Sequence, residues 1–300
     1  MAFIALGTVA LDNVKTPSGV KKNMLGGSAA HFSMSARLFD DVHVVGIVGK
    51  DFPKMHLDFL KRKGINIAGL TVADGKTFRW TGEYKPEDLN SAITHATELG
   101  VLADYTPQIT DHHKKMTHVF LANLAPIVQE KLLSMVAKPE FVGLDTMNLW
   151  INTALRDLKR LMKKVDLMVL NDAEAKMLTC ERNAVAAARV IRAMGPRIVV
   201  IKKGEHGVYV YGGDFQFAYP AYPVLKVVDP TGAGDTFAGG LFGYLAKSRK
   251  VDQKTLRKAV VYGTVLASFN VEGFGMGKTA PLSMKEVDKR LKEYQAFCAF

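Results

Sequence analysis

Short apolar runs and longer amphipathic stretches take turns along this chain. The runs are rich in β-branched residues and close on turn formers: FIALGTVAL at 3–11, VHVVGIV at 42–48, HVFLAN from 118, FVGLD from 141, VDLMVLN from 165 and RIVVIK from 197. Runs of this length without strict alternation predict strands buried on both faces. Between them the apolar positions return every three or four residues. One such stretch, Met55 to Lys63, stops at Gly64, a residue suited to a helix C-terminus. Pro126 suits the first turn of another. Further helices are predicted from about Asn152, from Asn171 on to Met194, and over 254–269. Near the C-terminus Met284, Val287, Leu291 and Tyr294 are spaced three, four and three apart, again helical. HGVYVYGGDFQFAY reads as a hairpin turning across Gly212-Gly213-Asp214. Strand and helix in alternation predict an α/β fold, a mostly parallel central sheet with helices on both faces.

One part breaks the rhythm. From 70 to 105 the chain is rich in Thr and aromatics, alternates loosely from Thr77 to Tyr84, turns at Pro86-Glu87-Asp88, and offers a further strand at Ser91–Thr97. Together with about 12–25, it is expected to form a small β lid on a single domain spanning 1–300. Phe78 or Trp80 in that lid either stacks on a substrate ring or packs within the lid; the pattern leaves both open.

The chemistry concentrates at 224–245, VLKVVDPTGAGDTFAGGLFGYL. An apolar run leads into Asp229-Pro230-Thr231-Gly232-Ala233-Gly234-Asp235, and Phe237, Leu241, Tyr244 and Leu245 then share a helical face. The reading is strand, tight glycine turn, helix. Such a turn aims the N–H groups of Gly232, Ala233 and Gly234 outward from the positive pole of a helix, a place for a phosphate. Asp235 is then a carboxylate at an anion site. It is either an N-terminal cap or a base that takes the proton of a hydroxyl attacking the phosphorus held next to it. Two other phosphate motifs fail. Gly232-x-Gly234 has Phe237 where a dinucleotide fingerprint needs glycine, and Gly277-Lys278-Thr279 lacks the first P-loop glycine, position 272 being Glu.

DPTGAGDTFAGG resembles the C-terminal signature of the ribokinase-type (PfkB) carbohydrate and nucleoside kinases, and other segments follow in that family's order along nearly the whole chain. The resemblance implies a ribokinase-like fold with a lid. It also implies ATP-dependent phosphoryl transfer to a primary hydroxyl of a sugar or nucleoside, with Asp235 as base and the 232–234 amides as anion hole. Asp12, after the first strand, matches the family's substrate-binding Asp, and parallel sheets bind ligands at strand ends. Gly26-Gly27 matches the Gly-Gly segment that contacts substrate hydroxyls and hinges the lid. His31 stands where the family usually has Asn; it either replaces that polar contact or is a packed helix histidine. Gly46, Gly49 and Asp51 match G-x-x-G-x-D. Asn171 and Glu174 match N-x-x-E, which organises Mg²⁺ through its waters; as plain residues they also make a capping pair. Lys203, Gly204 and Gly207 resemble the stretch beside the nucleotide's ribose and phosphates. Residues 267–278, Asn270 among them, fall where the family wraps adenine and, in many members, a monovalent cation such as K⁺, whose site Asp229 and Thr231 would share. Asp145 and Asn148 approximate an Asp-x-Asn, but with one residue too many.

Composition adds limits. The 300 residues carry a net charge of +11, which suits polyphosphate substrates but lies scattered, without the interleaved aromatics of a nucleic-acid surface. A nucleotide-binding regulatory or nucleic-acid-associated protein without turnover is the rival reading. Cys180 and Cys298 form neither a disulfide framework nor a metal spacing, so a reducing compartment is expected. The opening has no basic segment before its apolar part, and no apolar run approaches the ~20 residues of a membrane span. The expected setting is cytoplasmic, with no membrane partner. An exposed lid edge predicts a homodimer through the lid.

Overall fold

The computed structural model describes residues 2–299. The larger of its two sheets runs β13-β12-β11-β10-β9-β8-β1-β4-β5. In chain order its strands are β1 (Phe3–Leu6), β4 (Val42–Gly49), β5 (Asn66–Ala73), β8 (His118–Leu121), β9 (Phe141–Asp145), β10 (Leu167–Asn171), β11 (Ile198–Lys202), β12 (Val208–Tyr211) and β13 (Gln216–Tyr219). From β11 to β5 all pairings are parallel; β12 and β13 add the antiparallel hairpin expected across Gly212-Gly213.

Alternation along each strand splits the core in two. Phe3, Ala5, Val44, Phe120, Phe141, Val169 and Val200 face one layer of helices. That layer contains α1 (Ser28–Ala36), α9 (Ala233–Ser248) and α10 (Gln253–Val271). Ile4, Leu6, Val45, Val119, Leu144, Met168 and Ile201 face the other. This second layer contains α4 (Pro126–Met135), α6 (Leu155–Met162), α7 (Asp172–Thr179) and α8 (Ala184–Ala193). The remaining helices are α2 (Lys54–Arg62), the short α3 (Asp111–Lys114) and α5 (Asn148–Thr153), and the C-terminal α11 (Met284–Cys298). Pro126 opens α4, and Gly64 follows α2 at φ 78°.

The smaller sheet is the lid, ordered β3-β2-β6-β7. Its strands are β2 (Ala10–Thr16), β3 (Gly19–Gly26), β6 (Arg79–Lys85) and β7 (Asp88–Glu98). The β2–β6 pairing is parallel and the other two are antiparallel.

Four expectations need correction. Residues 3–11 are not one strand: the chain leaves the large sheet after Leu6 and re-forms as β2 in the lid. At the joint Thr8 N–H donates to Ser28 Oγ (3.1 Å) and Ser28 N–H to Thr8 Oγ1 (2.8 Å). Asp12 is therefore a lid residue. Residues 70–73 belong to β5 of the large sheet, paired with β4. Residues 224–228 form no strand; Leu225 is fully exposed, and Val228 N–H bonds to Val271 O at the end of α10 (2.7 Å). The helix expected from about Asn152 starts at Asn148, breaks at Ala154 (φ −137°, ψ 31°) and resumes at Leu155.

Candidate active site

Three neighbouring strands end in polar side chains on the same rim of the large sheet: Asp145 closes β9, Asn171 closes β10 and Lys202 closes β11. Lys202 Nζ meets Asp145 Oδ2 at 3.0 Å, and both are largely buried. Burial pulls the ammonium toward neutrality, but Asp145, Glu174 and Asp235 outweigh it and hold Lys202 charged. Burial raises Asp145 in turn, against the pull of Lys202. Lys202, which no motif marks, is the lysine at this rim; Lys203 follows β11 and leads into the turn at Gly204.

Asn171 and Glu174 make the capping box at the start of α7. Asn171 N–H donates to Glu174 Oε2 (2.7 Å) and Glu174 N–H to Asn171 Oδ1 (2.8 Å). Burial pushes the Glu174 carboxyl up to about 7, with Lys202 opposing.

The glycine turn stands opposite. Ala233 N–H donates to Pro230 O (3.1 Å), and Gly232 sits at φ 73°, ψ 6°. That is a type II turn, whose third position demands glycine. Ala233 therefore differs from expectation: its N–H closes the turn instead of facing an anion. Gly234 lies beside the ammonium, since a Cβ built there would stand 2.9 Å from Lys202 Nζ. Asp235 is no N-cap. The cap position is Gly232, without a side-chain bond, and Asp235 lies in the first turn bonded to its own N–H. Burial pushes its carboxyl up to about 7, aided by Asp145 and opposed by Lys202.

Behind the turn, Asp229 is fully buried, accepting from Thr231 N–H (2.9 Å) and Gly275 N–H (3.0 Å). Asn270 is also fully buried; it donates to Thr231 O (2.8 Å) and accepts from Thr236 Oγ1 (3.1 Å). It struts the turn and does not line a nucleotide cleft, because both ends of its amide are engaged inside the protein. His31 packs its ring against Gly232 and bonds Asn270, while burial keeps the imidazole neutral. Its Nδ1 has no hydrogen-bond partner among the described residues.

The lid brings the rest. Asp12 is 5% exposed, accepts from Gly27 N–H, and is pushed up to about 7 by burial, with Asp229 and Asp235 adding to the rise. Gly26 leaves the space its carboxylate occupies: a Cβ there would overlap Asp12 Oδ2. Trp80 donates to Thr94 Oγ1 within the lid (3.2 Å) and covers Gly82. Tyr84, with no motif to mark it, comes in from β6 beside Thr231, close enough to feel Asp229, Asp12 and Asp235. Lid and body touch elsewhere: Thr16 Oγ1 donates to Val228 O (2.8 Å), and the Asn90 side chain sits against Gly204. Gly204 (φ 55°) and Gly207 (φ 89°) shape the exposed loop after Lys203.

Asp145, Glu174 and Asp235 share one lysine, an excess of negative charge suited to a dication. Among the described residues no three acidic, His or Cys side chains stand close enough to hold a metal alone. Mg²⁺ fits such a donor set, because it retains waters and takes phosphate oxygens as ligands.

Residues 3–282 match the profile described as pfkB family carbohydrate kinase. The chain belongs to the pfkB family. Its fold is ribokinase-like, and it is a kinase of alcohol acceptors, a sugar or a nucleoside. A cytidine kinase of Thermococcus kodakarensis is 31% identical over 258 residues, covering 84% of this chain and 91% of that protein. A ribokinase of Haemophilus influenzae is 24% identical, covering 88% and 86%. Among solved structures, the nucleoside kinase of Methanocaldococcus jannaschii aligns over 97% of this pfkB chain and 98% of its own, with TM-score 0.77 at 20% identity. No helix among the described residues is long and apolar enough to cross a membrane.

Proposed function

We propose that this chain is an ATP-dependent nucleoside kinase, transferring the γ-phosphoryl group to the primary hydroxyl of the pentose, with cytidine as the leading acceptor. The choice of nucleoside over free sugar rests on the similarity to the Thermococcus cytidine kinase, which spans most of both chains. The chemistry rests on one observation: among the described residues no side chain is hydrogen-bonded to Asp235, yet it lies beside Lys202, as does Gly234.

In this reading the acceptor lies between Asp12 and Asp235. Its oxygen forms the new bond to phosphorus, the bond to the β-phosphate oxygen breaks, and the hydroxyl proton passes to Asp235. The Gly232 and Gly234 amides and the Lys202 ammonium offset charge on the transferring group. Asp145 and Glu174, with Asn171, would hold Mg²⁺ through water, and the ion would neutralise polyphosphate charge. The same reading places a monovalent cation near Asp229 and Thr231, testable by replacing K⁺ with a bulky organic cation.

The test is a panel of ribose, fructose, adenosine, inosine and cytidine with ATP. Cytidine is expected to give the highest kcat/KM, and preference for a free sugar overturns the nucleoside assignment. Asp235→Asn keeps the shape but cannot take a proton. Its kcat should fall by roughly 10²-fold or more with ATP affinity little changed; wild-type turnover removes Asp235 from its role.

A further inference from the structure

We infer that Tyr84 is an acceptor-recognition residue, carried by the lid, whose hydroxyl donates to a non-reacting ring hydroxyl of the pentose. This rests on the kinase reading above and adds a residue that neither the motifs nor the fold assigns.

The placement carries it. β6 sends its residues to opposite sides. Glu83 turns to the side where Lys15 and Lys85 meet it at 3.0 Å, with His95 at the same distance. Tyr84 turns the other way and is buried, its phenol end beside Thr231 of the glycine turn and within the field of Asp12, Asp229 and Asp235. It is a lid side chain placed among the groups that hold and activate the acceptor. The lid lies down on the body here. Asn90 rests against Gly204, Thr16 bonds Val228, and Arg79 Nη2 reaches Asp51 Oδ2 at 3.0 Å. These contacts seat Tyr84 against the body.

The chemistry fits a sugar hydroxyl. A tyrosine phenol is protonated at neutral pH and can donate. Asp12, once ionised, only accepts. A hydroxyl both donates and accepts, so one between the two satisfies both. The attacking primary hydroxyl belongs to Asp235, which leaves a secondary hydroxyl for Asp12 and Tyr84. A buried group built to bond a substrate hydroxyl discriminates strongly against an analogue lacking it, because the group is left unpaired. Neutral His31 packs beside Gly232 near the same wall, and its Nδ1 has no hydrogen-bond partner among the described residues.

Tyr84→Phe removes the hydroxyl and keeps the ring. Steady-state kinetics of wild type and variant would be run with cytidine and its 2′-deoxy and 3′-deoxy forms. Calorimetric binding of the same nucleosides would be measured in parallel, as a readout that does not need turnover. Expected for the variant: acceptor kcat/KM and affinity lower by roughly tenfold or more, with KM for ATP within about twofold. In wild type one deoxy analogue should lose a similar factor, and Tyr84→Phe should add little to that loss. A variant matching wild type on cytidine overturns the assignment. So does an equal penalty on cytidine and both deoxy forms, or a shared loss of acceptor and ATP affinity with lowered Tm, which marks a packing role. If wild type binds and phosphorylates free sugars alone, the nucleoside reading falls. The Tyr84 assignment is then decided by the same variant on ribose and its 2-deoxy form.

Discussion

At the scale of single residues, three carboxyls at this site are lifted to about 7 by burial: Asp12, Glu174 and Asp235. A base must be ionised to work, so kcat/KM should rise with pH up to about 7 and level off above. Because neighbouring carboxyls titrate in the same range, the rise should be steeper than one proton demands. A flat profile from pH 5 to 9 contradicts this. Lys202→Met removes the cation that opposes the upward push on Asp235, so the rising limb should move to higher pH. Stability has the opposite sign. The Asp12 carboxyl rises from 3.8 to about 7 on folding, so between those values the native state holds a proton that the unfolded state has lost. Its contribution is complete below pH 4 and lost by pH 7, an amount of roughly 4 kcal/mol at most. Asp12→Asn should therefore raise the Tm of the ligand-free protein at pH 8, with the gain shrinking at pH 5. An equal gain at both pH values argues that the carboxyl is not perturbed.

At the scale of elements, the lid is tied to the body by charge and by backbone. Asp51, just after β4, accepts from Thr77 N–H (2.7 Å) and Thr77 Oγ1 (2.6 Å) and pairs with Arg79, which donates onward to Asn23 (2.6 Å). Asp51→Ala cuts this latch where β6 begins. A loosened lid admits water, so ATP hydrolysis without acceptor should rise several-fold relative to transfer; an unchanged ratio denies the latch that role. Between α9 and α10 the joint is Asn270. Asn270→Ala leaves Thr231 O and Thr236 Oγ1 without their partner and should cost about 2–3 kcal/mol in unfolding, read by denaturant titration. The element pattern was largely legible: short β-branched runs and three-to-four spacing placed most strands and helices of the large sheet. The segment 224–228 misled because its valines look like strand, while its backbone bonds to the end of α10 and not to a sheet edge. The lid region 12–25 was expected, but the point where β1 gives way to β2 was not, since FIALGTVAL reads as one continuous apolar run through Gly7 and Thr8.

At the scale of the whole molecule, the site is assembled from both sheets, and legibility divides along that line. Asp235, Glu174 and Asn171 belong to local motifs, so their positions were readable. Lys202 was missed because a run ending Lys-Lys does not say which lysine meets Asp145. Tyr84 was missed because nothing local tells which face of an inserted strand meets a distant turn. The basic surface, +11 over 300 residues, belongs to this scale too. Attraction between it and a polyphosphate should weaken with salt, raising the KM for ATP between 50 and 300 mM KCl more than that for an uncharged nucleoside.

The reciprocal bonds between Thr8 and Ser28 fasten the entry and exit of the β2–β3 hairpin to one point. Asp12 rides on that hairpin, while Asp235 is anchored on α9 in the body. In the proposed reaction, then, the acceptor would be gripped from the hairpin and activated from the body. A swing of the hairpin about its fastening would lift the sugar off the base and set it back down, so that the lid would serve as a carrier docking its cargo, and parting from the product would retrace the same arc.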